Sequence, residues 1–139
     1  MQPSLRRFLA TAAAILSCGC SDTAFAPSVD NVAGTYTATT FTTTSGTVTT
    51  DQLAAGASFT ITLAPDRTTT GRLFVPGADE GGGDLDADMA GTWTLSGSTV
   101  EFAQTADTFV RDMPFIATRD RLQGEATFSG TTVRVTLTK

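Results

Sequence analysis

Asp84-Leu85-Asp86-Ala87-Asp88-Met89-Ala90-Gly91-Thr92-Trp93-Thr94-Leu95 is the stretch that decides the fold. Its character alternates with a period of two. Leu85, Ala87, Met89, Gly91, Trp93 and Leu95 share one face, and Asp84, Asp86, Asp88, Thr92 and Thr94 share the other. Successive side chains of a strand point to opposite sides, so this pattern predicts a long strand with one face in a core and the other in water.

The same alternation continues in both directions. Ser96-Gly97-Ser98 reads as a hairpin turn, and residues 99–104 return with Val100 and Phe102 inward. Upstream, residues 57–64 set Phe59, Ile61 and Leu63 against Thr60 and Thr62. Pro65-Asp66-Arg67 turns the chain into residues 69–75. Residues 34–43 open the series, with Tyr36 and Ala38 on one face. Downstream, residues 113–118 place Phe115 inward, and Asp120-Arg121 turns into residues 122–128. Ser129-Gly130-Thr131 is a tight turn before residues 132–138, where Val133, Val135 and Leu137 point in. These segments predict eight strands joined by close, even turns.

Eight sequential strands with one apolar face need that face covered. Thr makes up about a fifth of the chain and suits a pleated, half-buried surface, whereas helix formers such as Lys are almost absent. The expected fold is therefore all-β: a small antiparallel up-and-down β-barrel, whose closure covers the core and removes the sheet edges. A β-sandwich is the alternative. Asp51-Gln52-Leu53-Ala54-Ala55, followed by Gly56, reads as a single turn over a barrel mouth.

The first twenty residues read as an address. Arg6 and Arg7 form a positive start, and residues 8–17 are apolar or small, the pattern of a signal peptide. That run is too short to cross a bilayer, which takes ~20 residues. Ile15-Leu16-Ser17-Cys18-Gly19-Cys20 then resembles the bacterial lipobox, whose cysteine is lipidated and becomes the mature N-terminus. Two frames compete. Cys18 has the aliphatic Ile15 three residues before it, which favours it; Cys20 is preceded by Gly19 but has Ser17 at the aliphatic position. Ordinary signal cleavage after Ala24 or Ala26 is the alternative, and Arg6-Arg7-Phe8-Leu9 leaves the twin-arginine route open beside the general one. Two or more acyl chains anchor stably to a bilayer without spanning it. Residues 21–31 would form a short flexible tether reaching roughly 35 Å at ~3.3 Å per residue. The expected organisation is a signal and lipidation segment at 1–20, a tether at 21–31, and one domain at 32–139, at the cell envelope and monomeric.

Composition removes several function classes. Loss of Arg6 and Arg7 with the leader leaves seven cations against fourteen acids, a net charge of −7. Nucleic acid is a poor partner for such a surface. The chain has no His, which removes the commonest general base and metal ligand. No cofactor and no enzymatic activity are expected.

Gly34-Thr35-Tyr36, opening an eight-strand meander behind a lipobox, resembles the lipocalin-like lipoproteins of bacteria. Their first strand usually carries Gly-x-Trp. Here Tyr36 stands in the Trp position, and Gly91-Thr92-Trp93 comes only later. The resemblance covers residues 32–139 in pattern and implies a small calyx for an apolar ligand, though such domains serve many roles. On this reading Tyr36, Phe59, Met89, Trp93, Phe102, Gln104 and Phe115 would line the interior, with an opening near Tyr36 and the 51–55 turn. Alternatively those side chains fill the barrel, and the domain is an envelope structural or protein-interaction module without a ligand.

Two further clusters carry weaker chemistry. Asp84, Asp86 and Asp88 resemble the start of a calcium-binding EF-hand loop. Met89 occupies the position of the loop's Gly, and Leu95 that of its bidentate Glu, so a solvated acidic loop is the expectation. Asp107 and Asp112 could in principle form a hydrolytic carboxylate pair, but scattered surface acids are far commoner.

Overall fold

The structure, a computed structural model, describes residues 24–139. The leader, the Arg6-Arg7 pair, Cys18 and Cys20 lie outside the described residues.

The strands run β1 (Gly34–Ser45), β2 (Val48–Asp51), β3 (Ser58–Leu63), β4 (Thr68–Val75), β5 (Leu85–Asp88), β6 (Gly91–Ser96), β7 (Thr99–Gln104), β8 (Phe115–Ala117), β9 (Arg121–Phe128) and β10 (Thr131–Thr138). Two short helices, α1 (Val29–Val32) and α2 (Phe109–Asp112), complete the order. Every pairing is antiparallel between neighbours in the meander, and β10 returns to β1 over Thr37↔Thr138 to Ser45↔Thr131. That last pairing closes the sheet into a barrel and excludes the sandwich.

Strands β5 and β6 lie on the same edge of β4 in one continuous register. Arg72↔Asp88 runs on to Thr69↔Gly91, and the Met89 N–H donates to the Gly71 carbonyl at 3.0 Å between them. The twelve-residue alternation thus marks one position in an eight-membered ring, interrupted in its pairing only at Met89-Ala90. Gly71 explains how the neighbouring strands approach there. With φ +143, it sits where an added Cβ would lie 2.1 Å from the Thr60 carbonyl oxygen of β3.

Alternation places the core as expected along most strands. Phe59, Ile61, Leu63, Ala87, Met89, Trp93, Val100, Phe102, Phe115, Val133, Val135 and Leu137 are all buried. The outward Thr side chains pair across strands: Thr35 with Thr62 at 2.8 Å, Thr44 with Thr49 at 2.9 Å and Thr127 with Thr132 at 2.9 Å. Such cross-strand hydroxyl pairs are one use of a Thr-rich exterior. At the last hairpin Ser129 and Gly130 both have positive φ, as a tight two-residue turn between right-twisted strands requires.

Three features depart from the sequence reading. Strand β1 runs on to Ser45 and folds into the extra hairpin strand β2. A bulge in the β1–β10 register falls between Ala38 and Thr40. It inserts Thr39 and reverses the faces beyond it, so Phe41 turns inward although it stands at odd spacing from Tyr36. Finally, the segment read as tether contains α1. Ser28 caps it by accepting the Asn31 N–H at 3.2 Å, Val32 is fully buried, and Phe25 and Val29 pack against the core.

The two ends of the barrel are unlike. At the near end, where β1 starts, lie α1, the 64–67 and 96–98 turns, the 118–120 turn and Lys139. At the far end lie the 46–57 connection, the 76–84 loop, the α2 connection and the 129–130 turn.

Candidate functional site at the far mouth

The barrel axis is occupied by side chains. Tyr36, Phe59, Met89, Trp93, Phe102, Gln104 and Phe115, the residues proposed from sequence to line an interior, are 0–6 % exposed. A ligand-sized void among them would expose its walls, and these walls are covered. Phe102 and Phe115 meet edge to face at 5.4 Å. Gly124 makes room for this packing, since an added Cβ would stand 2.8 Å from Met113 Cε and 2.9 Å from the Phe115 ring.

The near end is plugged. The Tyr36 hydroxyl donates to the Val32 carbonyl of α1 at 2.6 Å. Lys139 Nζ donates to the Asn31 and Ala33 carbonyls at 2.5 and 3.2 Å, and it sits 5.4 Å from the Tyr36 ring centroid. These bonds satisfy carbonyls that the short helix leaves open. Burial, with a smaller contribution from Asp120, pushes the Tyr36 phenol up to about 12. Trp93 is held in the same manner: Nε1 donates to the Ala64 carbonyl at 2.9 Å, and the Arg67 guanidinium lies 5.4 Å from the ring centroid. The opening expected near Tyr36 is therefore not there, because Tyr36 and the 51–55 turn lie at opposite ends of the barrel.

The far end holds an apolar notch of about 310 Å³. Phe41 of β1, Val75 of β4, Pro76 to Ala78, Leu85 of β5, Phe109 of α2 and Val133 of β10 line it, with Thr43 and Gln52 at its polar edge. Its size lies at the lower end of the range of small-ligand pockets. The Phe41 and Phe109 rings meet at 5.5 Å, tilted by 47°. Gln52 Nε2 donates to Thr43 Oγ1 at 2.7 Å, which ties the 51–55 turn to β1. That turn is a single one, as expected, with Asp51 Oδ1 accepting the Ala54 N–H at 3.2 Å and the Asp51 carbonyl accepting the Ala55 N–H at 3.1 Å.

Of the notch residues, Leu85 and Val133 were legible as inward-facing from alternation. Phe41 was hidden by the bulge and Phe109 by the irregular stretch before β8. A bulky aromatic breaking the period of a Thr-rich strand is the signal that points to Phe41.

The acidic clusters make local hydrogen bonds and ion pairs. Asp84 Oδ1 accepts the Gly77 N–H at 3.0 Å and pins the 76–84 loop. Asp86 receives both prongs of Arg72 across the β4–β5 pair, at 2.7 and 2.5 Å, and the hydrogen bond from Arg72 holds its carboxyl below the usual range. Asp88 lies exposed on the outer face of β5. Among the described residues no three carboxylates gather as a metal site. Asp107 and Asp112 are both exposed, and Arg111 bridges them at 2.5 and 3.4 Å, so they form a surface ion network on α2.

One buried polar pair stands apart. Gln104 donates through Nε2 to the Met89 carbonyl at 3.3 Å, which also accepts from Thr69 Oγ1 at 2.7 Å. Gln104 Oε1 and Thr108 Oγ1 are buried without a hydrogen-bond partner.

Comparison of the chain with protein-family models, with curated proteins and with solved structures finds no match in any of the three.

Proposed function

We propose that the chain is a lipid-anchored, non-catalytic module of the bacterial envelope, resembling small lipocalin-like lipoproteins, that receives a small apolar group at the far mouth of a filled barrel. The observation that carries this reading is the contrast along the axis: side chains fill the interior, while the apolar notch at the far end is open. The chain enters at the near end, where residues 24–26 lie beside Arg119, Asp120 and Lys139. With only three to five residues between Cys20 or Cys18 and Ala24, a lipidated cysteine would bring the near end close to the bilayer. The far mouth would then face away from the membrane, toward solutes or other envelope proteins. The filled axis also favours a second reading, in which the apolar group is a side chain of a partner protein.

Native mass spectrometry of the protein, extracted gently from its own envelope, tests the proposal. An acyl mass on the N-terminal cysteine should survive denaturation. A small non-covalent mass should be lost on denaturation and should be absent from an Ala78→Trp variant that fills the notch. A polypeptide without acyl mass overturns the anchor. An acylated polypeptide that carries no small molecule moves the reading to the partner protein.

A further inference from the structure

We propose that the far mouth selects an amphipathic cation, a short alkyl or aryl group carrying an ammonium. This inference rests on the far mouth being the binding site and adds the charge that the site prefers.

Three observations converge on this class of ligand. First, the floor is apolar and in part aromatic. Phe41 and Phe109 stand 5.5 Å apart in a notch of about 310 Å³, and aromatic faces attract cations as well as hydrocarbon. Second, the two loops that frame the notch carry acids and no bases, three acids in 76–84 and one in 46–57. Asp51 sits beside the lining residue Gln52, Asp79 and Glu80 follow the lining residue Ala78, and Asp84 precedes Leu85. All four carboxylates are exposed, and segments 46–57 and 76–84 contain no Lys or Arg. Third, the cations on the strands and helix that line the notch are already paired, Arg134 on β10 with Glu125 among them. Arg111 on α2 holds two carboxylates, Asp107 and Asp112, and Arg72 on β4 is paired with Asp86.

The rim therefore carries an uncompensated negative field over a low-dielectric floor, which concentrates cations and repels anions. A fatty-acid carboxylate would find no partner at this mouth. An ammonium would sit among the carboxylates while its apolar tail displaced water from the Phe41–Phe109 pair.

The test is isothermal titration of the full chain with octylammonium, octanol and octyl sulfate below their micelle concentrations, with amide shifts followed by NMR. Octylammonium should bind about tenfold tighter than octyl sulfate at low salt, a gap that narrows at high salt as screening sets in. Shifts should centre on Val75, Gly77, Leu85 and Phe109. The exposed pair of changes Asp79→Asn and Glu80→Gln should cut the cation preference several-fold and leave octanol binding unchanged. Ala78→Trp should abolish binding of all three. Equal affinity for the three probes, with shifts at the notch, overturns the charge selection and leaves the far-mouth reading standing. Absence of any shift at the notch overturns both. Tighter binding of octyl sulfate, or capture only of a basic peptide, overturns the proposal as well.

Discussion

Each end of this barrel carries two buried or half-buried aromatic rings, and the two ends treat them in opposite ways. At the near end the pair is Tyr36 and Trp93, whose polar atoms donate to the Val32 and Ala64 carbonyls while Lys139 and Arg67 lie 5.4 Å from their ring centroids. At the far end the pair is Phe41 and Phe109, which have no polar atom to anchor and lie in an open notch whose lining residues are flanked in sequence by Asp51, Asp79, Glu80 and Asp84. The difference shows how a small barrel is closed at one end and left open at the other. An aromatic ring with a polar tip can be stitched to the chain that covers it, and its hydrogen bond offsets the desolvation of both partners. A phenyl ring offers only surface, so the end it lines stays a notch until something apolar fills it.

Truncating one ring at each end is the strongest way to break this comparison. Trp93→Ala removes the largest fully buried side chain and should cost about 3–5 kcal/mol, read by urea unfolding followed by circular dichroism. An effect no larger than that of the far-end truncation described below would mean that the near end is not the better-packed one.

The next effect is a dependence on pH. The folded Tyr36 phenol titrates near 12 against an ordinary value of 10.0, so the fold favours its neutral form. Stability from this group is complete below pH 10. It then falls by up to about 1.4 kcal/mol per pH unit as the unfolded chain ionises first, until the folded phenol titrates too. Tyr36 is the only tyrosine in the chain, so absorbance at alkaline pH reports it alone. A midpoint near 12 is expected in the folded protein and near 10 in denaturant. A folded midpoint at the ordinary value would show an unplugged near end.

At the far end Phe109→Ala removes a half-buried ring on a short helix and should cost only about 1–1.5 kcal/mol in the same unfolding assay. The smallest change tests the axis between the ends. Gln104→Met removes the unpartnered Oε1 and leaves the Met89 carbonyl its bond from Thr69, so the variant should be neutral or more stable by up to about 1 kcal/mol. A clear loss of stability would mean that Gln104 has a polar role inside the barrel.

Most of the fold was legible because its signal is local. Period-two alternation needs only neighbouring residues, and it marked all eight ring positions, including the run from Asp84 to Leu95 that pairing divides into β5 and β6. The candidate site was less legible, because its residues break the patterns that make strands visible. Phe41 faces inward only through the bulge at Thr39. Phe109 and Val110 sit on a helix of four residues, too short to show a period. Val32, in a segment read largely as tether, is buried because α1 folds back over the barrel and Lys139, more than a hundred positions away, bonds to its carbonyls.

By itself the amino-acid sequence determined that this protein is all-β, which face of nearly every strand is apolar, where the hairpins turn, and that its surface is acidic. These follow from backbone geometry acting over two to four residues. Tertiary structure alone decided the register in which β10 closes on β1, the inward turn of Phe41, the plug over Tyr36 and the open notch at the other end. Each depends on groups distant in the chain meeting in space, where packing and hydrogen-bond satisfaction, rather than local preference, determine which end is sealed.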